Sequence, residues 1–161
     1  MKKEFYFIIA ALLLLFSCQS EPARTVDVKS VEAENLDHTK TLVVPWNVVI
    51  NDSTDMMEIK KDPASDMTNL GPKDIVDALN LKYPKIKLLW LKQTGSKVFV
   101  KINDSSYLTR QSGSGGAQAY LAEVTYSLTE LKGIVSVDFT FIEGDHARPG
   151  TYIREDFANL N

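Results

Sequence analysis

Cysteine and histidine are both scarce in this sequence. Among its 161 residues the only cysteine is Cys18, and the only histidines are His38 and His146. A single thiol excludes an internal disulfide, and two histidines so far apart in the chain do not form a pair at metal-ligand spacing. The sequence therefore predicts neither a disulfide framework nor a metal site, and it indicates no other cofactor.

No apolar run is long enough to cross a bilayer as a helix, which takes about 20 residues. The longest run, residues 5–16, follows a basic start and has the length of a secretory signal's hydrophobic region. It leads to Ser17 and Cys18, a pattern that resembles a bacterial lipobox, although Phe16 is larger than the residue usual there. We expect residues 1–17 to be a lipoprotein signal peptide and Cys18 to be the lipidated amino terminus; an uncleaved anchor is the alternative.

Lipidation would decide where the protein is located. Acyl chains such as palmitate contribute about 0.8 kcal/mol per buried CH₂, and several chains on one site form a stable anchor. We therefore expect the membrane to be one partner, through lipid on Cys18, and the bacterial cell envelope to be the location. Gln19 is not the aspartate that retains enterobacterial lipoproteins at the inner membrane, so an outer membrane is favoured if the organism has one.

The charge of the chain argues against nucleic acid as a partner. Without residues 1–17, which contain Lys2, Lys3 and Glu4, 16 basic and 20 acidic residues remain, a net charge near −4. Nucleic-acid affinity comes chiefly from neutralising phosphates, and we expect no clustered Lys/Arg face. Residues 18–40 are polar without a sustained apolar period, which predicts a flexible stalk. Residues 41–161 then suit a single domain.

The clearest pattern in that domain lies within residues 112–144. Apolar residues recur there at steps of three and four, which predicts a helix with one apolar stripe. They are Ala117, Tyr120, Leu121, Val124, Leu128 and Leu131. Thr125 and Thr129 belong to the opposite, polar side. A residue of the Gly/Ser-rich turn before Ala117 is expected to cap this helix, and Gly133 to end it in a left-handed conformation.

The remaining elements follow from shorter patterns. After Gly133 the apolar period changes to two, with Val135, Val137, Phe139 and Phe141 on one side of a strand. Residues 42–50 and 56–60 read as strands, residues 72–83 as a Pro-started helix, residues 85–102 as a hairpin, and residues 151–157 as a last strand or short helix. This order predicts an α/β (α+β) sandwich, in which a small mixed sheet of four or five strands carries two helices on one face.

Several stretches together resemble the GerMN domain, the sporulation and spore germination domain. They are IVDALNL at residues 75–81, VFVKIND followed by SSYL at residues 98–108, and GSGGAQAYLAEVTYSLTELKGIVSVDFTFIEG at residues 113–144. The resemblance implies a small α/β domain on an envelope lipoprotein, related in shape to ring-building domains, with no catalytic residues. Lys82, Tyr83 and Pro84 stand where the family usually has a Gly-Pro step, which indicates a diverged member.

Two loops contain the candidate binding residues. Backbone amides at Gly113, Ser114, Gly115 and Gly116 can hold an anion where a helix begins, although helix initiation and close packing are the plainer explanation of these residues. The second loop contains Glu143, Asp145, His146 and Arg148. The two carboxylates and His146 can form a weak divalent-ion site or an acid/base pair, but such residues are more often part of a solvated turn. Because base, nucleophile and orienting group are not all visible in the sequence, we expect no enzyme.

Two functions from different classes are compatible with these features. The first is a non-catalytic interaction or assembly module that docks envelope proteins or copies of itself, and it predicts an exposed apolar patch or an open edge strand. The second is a binder of small ligands or cell-wall fragments, or a weak hydrolase. It predicts a concave pocket with convergent polar groups near residues 113–116 or 143–148.

Overall fold

The computed structural model describes residues 42–160. The predicted signal peptide at residues 1–17, the predicted lipidation site Cys18 and the predicted stalk at residues 18–40 lie outside the described residues. The described residues belong to one compact unit.

Six strands and two α-helices make up the part of the chain that the structure describes. The strands are β1 (Trp46–Asn51), β2 (Met56–Lys61), β3 (Leu88–Thr94), β4 (Lys97–Ile102), β5 (Ser136–Thr140) and β6 (Gly150–Tyr152). The helices are α1 (Pro72–Lys82) and α2 (Gly113–Thr129). A π-helical turn at Tyr107–Gln111 precedes α2, and a 3₁₀ segment at Arg154–Leu160 follows β6. The predicted order of elements is confirmed, and the final segment contains both a short strand and a short helix.

The strands form two sheets. The larger sheet has the order β3-β4-β5-β6, in which β4 and β5 are parallel and the other neighbours antiparallel. The parallel pair requires a crossover connection, and the chain supplies it through α2. β1 and β2 form a separate antiparallel hairpin. The fold is therefore the predicted α+β sandwich with a small mixed sheet of four strands.

One face of the larger sheet is buried. Its side chains alternate along the strands as predicted, and those on the inner face are Leu88, Val98, Val100, Ile102, Val137 and Phe139. Helix α1 packs against β3, and α2 packs against β5. Val135 was predicted to belong to the same row, but it precedes β5 and is exposed. Leu81, the last leucine of α1, is also exposed because it lies on the solvent side of the last turn.

Helix α2 lies at the centre of the domain. All residues from Tyr120 to Leu128 are buried, including Glu123 and Thr125. The prediction of a single apolar stripe with Thr125 on a polar side was wrong, because β1 and β2 also pack against α2. The hairpin covers the side of the helix that the sequence pattern assigned to solvent.

Glycines set the two ends of α2. Gly113 has a φ of +70°, a left-handed conformation that separates the π-helical turn from the helix. The Gly/Ser-rich residues after it lie inside the first turns of α2, rather than in a capping turn before the helix. Gly133 has a φ of +85°, which confirms the predicted left-handed stop. The chain then enters β5 directly.

The side-chain amide of Asn80 in α1 covers part of the free edge of β3. Asn80 Nδ2 donates to the Leu88 carbonyl oxygen at 2.9 Å, and the Leu88 N–H donates to Asn80 Oδ1 at 2.8 Å. Both backbone groups of Leu88 therefore point away from β4. Along an antiparallel strand the free groups recur at every second residue, so the backbone of Trp90 also faces this edge.

Candidate functional site

The loop between β5 and β6 is held in place by the π-helical turn and the residues before it. Ser105 Oγ donates to the Ile142 carbonyl oxygen at 2.8 Å, and the His146 N–H donates to the Thr109 carbonyl oxygen at 3.0 Å. Gly144 lies so close to Thr109 that an added Cβ would be 2.6 Å from the Thr109 Cβ. Only glycine fits at position 144, because the loop and Thr109 are so close there. This close contact positions the polar residues on either side of Gly144.

This loop forms one wall of a groove of about 770 Å³. We call it the polar groove, and its lining residues are Gln118, Leu121, Glu143, Gly144, Asp145, His146, Ala147, Arg148, Tyr152, Asp156 and Phe157. Leu121, Ala147 and Phe157 are buried and supply apolar surface. Three carboxyl groups, one guanidinium, one imidazole and one amide converge above that surface.

Four of the predicted binding residues line the polar groove. Glu143, Asp145, His146 and Arg148 all contribute to it. Arg148 Nε lies 3.1 Å from Glu143 Oε1, and these side chains are 81% and 56% exposed, respectively. An ion pair this exposed contributes roughly 0–1 kcal/mol. A ligand can therefore replace either partner at little cost.

The glycine-rich loop joins the site through one residue. Ser114 Oγ lies 3.2 Å from His146 Nδ1, so the two predicted loops meet although they are 32 residues apart. Gly113, Gly115 and Gly116 do not line the groove. Gly115 instead faces the Met57 side chain, where an added Cβ would be 3.6 Å from the methyl carbon. This placement favours packing as the role of the glycines.

Aromatic rings form the side of the groove nearest the sheet. The Tyr152 ring stacks on Phe157 at 5.7 Å between centroids and meets Phe139 edge-on at 5.6 Å. Tyr152 Oη donates to the Arg148 carbonyl oxygen at 2.7 Å. Burial is the main cause that raises the pKa of the Tyr152 hydroxyl above its ordinary value, so the group stays protonated and keeps this hydrogen bond across the neutral range.

Sequence reasoning did not identify Gln118, Tyr152, Asp156 and Phe157 as groove residues. Asp156 follows Arg154 and Glu155, and such a stretch of charged residues is normally a solvated surface. Its Oδ2 accepts the Ile153 N–H at 2.9 Å and so fixes the start of the 3₁₀ segment. The sequence feature that could have identified these groove residues is the aromatic pair Tyr152 and Phe157 after the charged loop. Two aromatic rings so close to solvated turn residues indicate a partly covered surface.

The arrangement lacks the parts of a hydrolytic site within residues 42–160. There, no carboxylate hydrogen-bonds the His146 ring, and Ser114 lies on an exposed turn of α2. A Ser/His pair needs an orienting group and oxyanion donors to activate the serine. In the same part of the chain no three His, Cys, Asp or Glu side chains form a group able to hold a metal ion.

A second polar cluster surrounds the buried carboxylate of Glu123. Glu123 is 1% exposed; its Oε1 accepts the Val48 N–H, and its Oε2 accepts from Lys82 Nζ and Tyr83 Oη, each at 2.7 Å. Burial and the neighbouring Glu123 carboxylate raise the pKa of the Tyr83 hydroxyl, so it remains a donor. Because protein groups occupy both oxygens of this buried carboxylate, the cluster joins elements of the fold and is no ligand site.

A third cluster surrounds Glu130 at the end of α2. Its carboxylate accepts from Trp46 Nε1 at 2.9 Å, Lys61 Nζ at 2.6 Å and Arg154 Nη2 at 2.9 Å. Burial alone would raise the pKa of Glu130, but the hydrogen bonds from Lys61, Arg154 and Trp46 outweigh it and lower the pKa to about 2. The Arg154 guanidinium also lies 5.0 Å from the Trp46 ring.

No family model matches the chain, and no curated protein or solved structure is significantly similar to it. Within residues 42–160, none of the helices has both the length and the apolar composition needed to span a bilayer. The resemblance to the GerMN domain therefore stays a prediction from the sequence.

Proposed function

We propose that this protein is a lipid-anchored, non-catalytic binding module of the bacterial cell envelope, and that the polar groove binds a small ligand such as a cell-wall fragment. The observation that carries the proposal is the convergence of charged and amide side chains above an apolar and aromatic surface. Lipidation of Cys18 and the resemblance to the GerMN domain support the envelope location. Both come from the sequence.

The composition of the groove fits a ligand with polar groups around an apolar face. Gln118, Asp145 and Asp156 offer acceptors, Arg148 offers several donors, and Tyr152 with Phe157 offers ring surface. Cell-wall glycopeptides combine sugar hydroxyls, amides and carboxylates with the apolar faces of sugar rings, so they match these groups in kind. Ligand sites usually join a few placed polar groups to apolar walls in this way.

The absence of activating partners around Ser114 and His146 in the described residues supports binding without catalysis. Their 3.2 Å contact positions the imidazole at the rim of the groove. A bound carboxylate or hydroxyl can take the place of Ser114 at His146. The pair then contributes to ligand orientation.

Binding of soluble muropeptides, followed by calorimetry and by chemical-shift changes, tests this function. Arg148→Ala should weaken binding at least tenfold, because a charge-assisted hydrogen bond to the ligand is lost. Lys132→Ala is the matched control, since Lys132 is exposed, lies outside the groove and carries the same charge. No detectable binding at millimolar concentration, or equal affinities for the two variants, would refute the proposal.

A second candidate is docking of an envelope protein, and one observation favours it. Val135 and Ile153 are exposed and flank a concavity of about 480 Å³ with Arg154 and Glu155 at its rim. An apolar patch with a polar rim is typical of protein interfaces. We expect Val135→Glu to abolish in-cell crosslinks to a partner, whereas Ile142→Glu, at an exposed apolar residue outside this concavity, should preserve them. Crosslinks unaffected by Val135→Glu would contradict docking at this surface.

A further inference from the structure

A second, smaller cavity adjoins the polar groove at the loop between β5 and β6. It encloses about 260 Å³ and is lined by Asn103, Asp104, Ser105, Ser106, Thr109 and Arg110, together with part of the loop. We call it the Arg110 pocket. Ile142 lines the pocket, Gly144 lines the groove, and Glu143 between them lines both. Three consecutive residues therefore form a wall that the two cavities share.

The shared wall is held in place by the π-helical turn and the residues before it. Ser105 Oγ donates to the Ile142 carbonyl oxygen at 2.8 Å, and the Thr109 carbonyl oxygen accepts the His146 N–H at 3.0 Å. Thr109 Oγ1 donates to the Ser105 carbonyl oxygen at 2.9 Å and connects these two anchors. Ser105 and Thr109 belong to the pocket and His146 to the groove. One hydrogen-bonded unit thus fixes the two cavities relative to each other.

Arg110 is an exposed arginine without a protein partner among the described residues. Residues 42–160 contain three arginines. Arg148 and Arg154 form ion pairs with Glu143 and Glu130, whereas Arg110 forms neither an ion pair nor a hydrogen bond within that range. A guanidinium can donate two parallel hydrogen bonds to a carboxylate. The Arg110 pocket therefore offers an anionic group of a ligand a cation that is not already neutralised.

The rest of the Arg110 pocket supplies an acceptor and apolar surface. Asp104 Oδ1 accepts the Ser106 hydroxyl at 2.6 Å and the Ser106 N–H at 3.0 Å. These hydrogen bonds hold the pKa of Asp104 below its ordinary value, so the carboxylate is charged at neutral pH. The Ile142 side chain is 73% exposed. A donor, an acceptor and an apolar side chain match the carboxylate, amide and methyl groups of a peptide in kind.

The Arg110 pocket is too small to serve as an independent ligand site. Such sites usually enclose roughly 300–1,000 Å³, whereas the pocket encloses about 260 Å³. The polar groove, at about 770 Å³, lies well within that range. The shared wall at Glu143 therefore favours a ligand that occupies the groove and continues into the pocket.

We propose, on the basis of the function proposed for the polar groove, that the groove and the Arg110 pocket form one extended binding site for a carboxylate-bearing chain of at least two repeat units. In a cell-wall fragment, the first unit occupies the groove near Arg148. The second unit passes Glu143 and places a carboxylate at Arg110. Because the shared wall fixes both cavities, the second unit binds with little further loss of translational freedom.

Calorimetry with two muropeptides of different length tests the extended site. The shorter ligand is one disaccharide with one tetrapeptide, and the longer is its glycan-linked dimer with two tetrapeptides. The protein is the chain from residue 18 onward with Cys18→Ala. We expect the dimer to bind at least about tenfold more tightly, because its second unit adds a charge-assisted hydrogen bond at Arg110. Two identical units that compete for the groove alone would raise affinity only about twofold, and a gain no larger than this would overturn the proposal.

Arg110→Ala separates the pocket from the groove. This variant should lower the ratio of dimer to monomer affinity to about twofold, whereas Arg148→Ala should weaken the binding of both ligands. Lys87→Ala is the matched control, since Lys87 is exposed, carries the same charge and lies outside both cavities. An unchanged affinity ratio in Arg110→Ala, or an equal fall of the ratio in Lys87→Ala, would contradict the assignment of Arg110.

Stoichiometry and the shorter ligand distinguish the ways in which the proposal can fail. One chain should bind one monomer or one dimer. Two monomers bound per chain would show two independent sites and would overturn a continuous one. If neither ligand binds at millimolar concentration, the function proposed for the groove is refuted together with the extended site. If the monomer binds and the dimer has no advantage, the extended site alone is refuted.

Discussion

Glu123 in α2 and Glu130, which caps the end of that helix, lie seven residues apart, and both carboxylates bind the β1–β2 hairpin. Seven residues are close to two helical turns, so both side chains point to the same side of the helix. Glu123 accepts a hydrogen bond from the backbone of β1 at Val48, while Glu130 accepts from Trp46 and Lys61, which pair with each other at the open end of the hairpin. Two carboxylates thus attach a separate small sheet to the central helix.

Replacement of the buried carboxylate should destabilise the fold markedly. Glu123→Gln leaves Lys82 without its counter-ion, and we expect a loss of about 2–3 kcal/mol in the free energy of unfolding, below the usual range for a buried pair because Lys82 is partly exposed. Urea denaturation of the chain from Gln19 onward measures this loss of stability. Glu155→Gln, at an exposed carboxylate, should change stability by under about 0.5 kcal/mol. If Glu155→Gln lost as much stability as Glu123→Gln, the special role of the buried Glu123 carboxylate would be contradicted.

Glu130 should make stability depend on pH in the acidic range. Its pKa is lowered to about 2 in the folded protein from an ordinary value of 4.5. Its contribution, at most about 3 kcal/mol, is therefore present above about pH 4.5 and lost as the pH falls towards 2. The difference in unfolding free energy between wild type and Glu130→Gln should be largest at pH 7 and shrink by pH 3. A difference that does not vary with pH would contradict this pKa.

Two glycine-to-alanine variants should have opposite effects. Gly144→Ala places a Cβ against Thr109 and should destabilise by about 1–3 kcal/mol, as overpacking does. Gly115→Ala adds a methyl group in ordinary contact with Met57 inside α2 and should stabilise by about 0.5–1 kcal/mol. Thermal and urea unfolding measure both. If Gly144→Ala were neutral, the close approach that shapes the groove would be absent.

The two tryptophans should differ in accessibility to an aqueous quencher. Trp90 is 41% exposed, whereas Trp46 is partly buried against Tyr126 at 5.1 Å between ring centroids. Acrylamide should therefore quench wild type mainly through Trp90, and Trp90→Phe should remove most of the quenchable emission. Trp46→Phe is the reciprocal variant and should retain it. Similar quenching constants for both variants would show that Trp90 is covered.

Periodic patterns were sufficient to predict the larger sheet and the helices. The alternation of Val98, Val100 and Ile102, and of Val137 and Phe139, reflects neighbours along one strand, so the chain itself fixes which face is buried. The left-handed conformation at Gly133, which ends the helical segment, likewise depends only on neighbouring residues. Such features depend on a few consecutive residues, and a sequence displays them directly.

Burial of Glu123 could not be predicted in this way. Its partners Val48, Lys82 and Tyr83 are 75, 41 and 40 residues away in the sequence. In isolation, a glutamate in a helix pattern indicates a solvated side. The same distinction applies to the candidate site. The polar residues near His146 could be identified from the sequence. Their contact with Ser114 and the aromatic side of the groove at Tyr152 arise only when distant elements pack together.

The forked contact between Asn80 and Leu88 also limits how molecules of this protein can polymerise. A sheet grows by recruiting another chain's backbone to its free edge. The Asn80 amide already occupies the Leu88 position of that edge, as a peptide group of an added strand would. Strand addition at β3 is therefore blocked at one end and interrupted at the bulge beyond Trp90, so this edge of the larger sheet is a poor template for another chain.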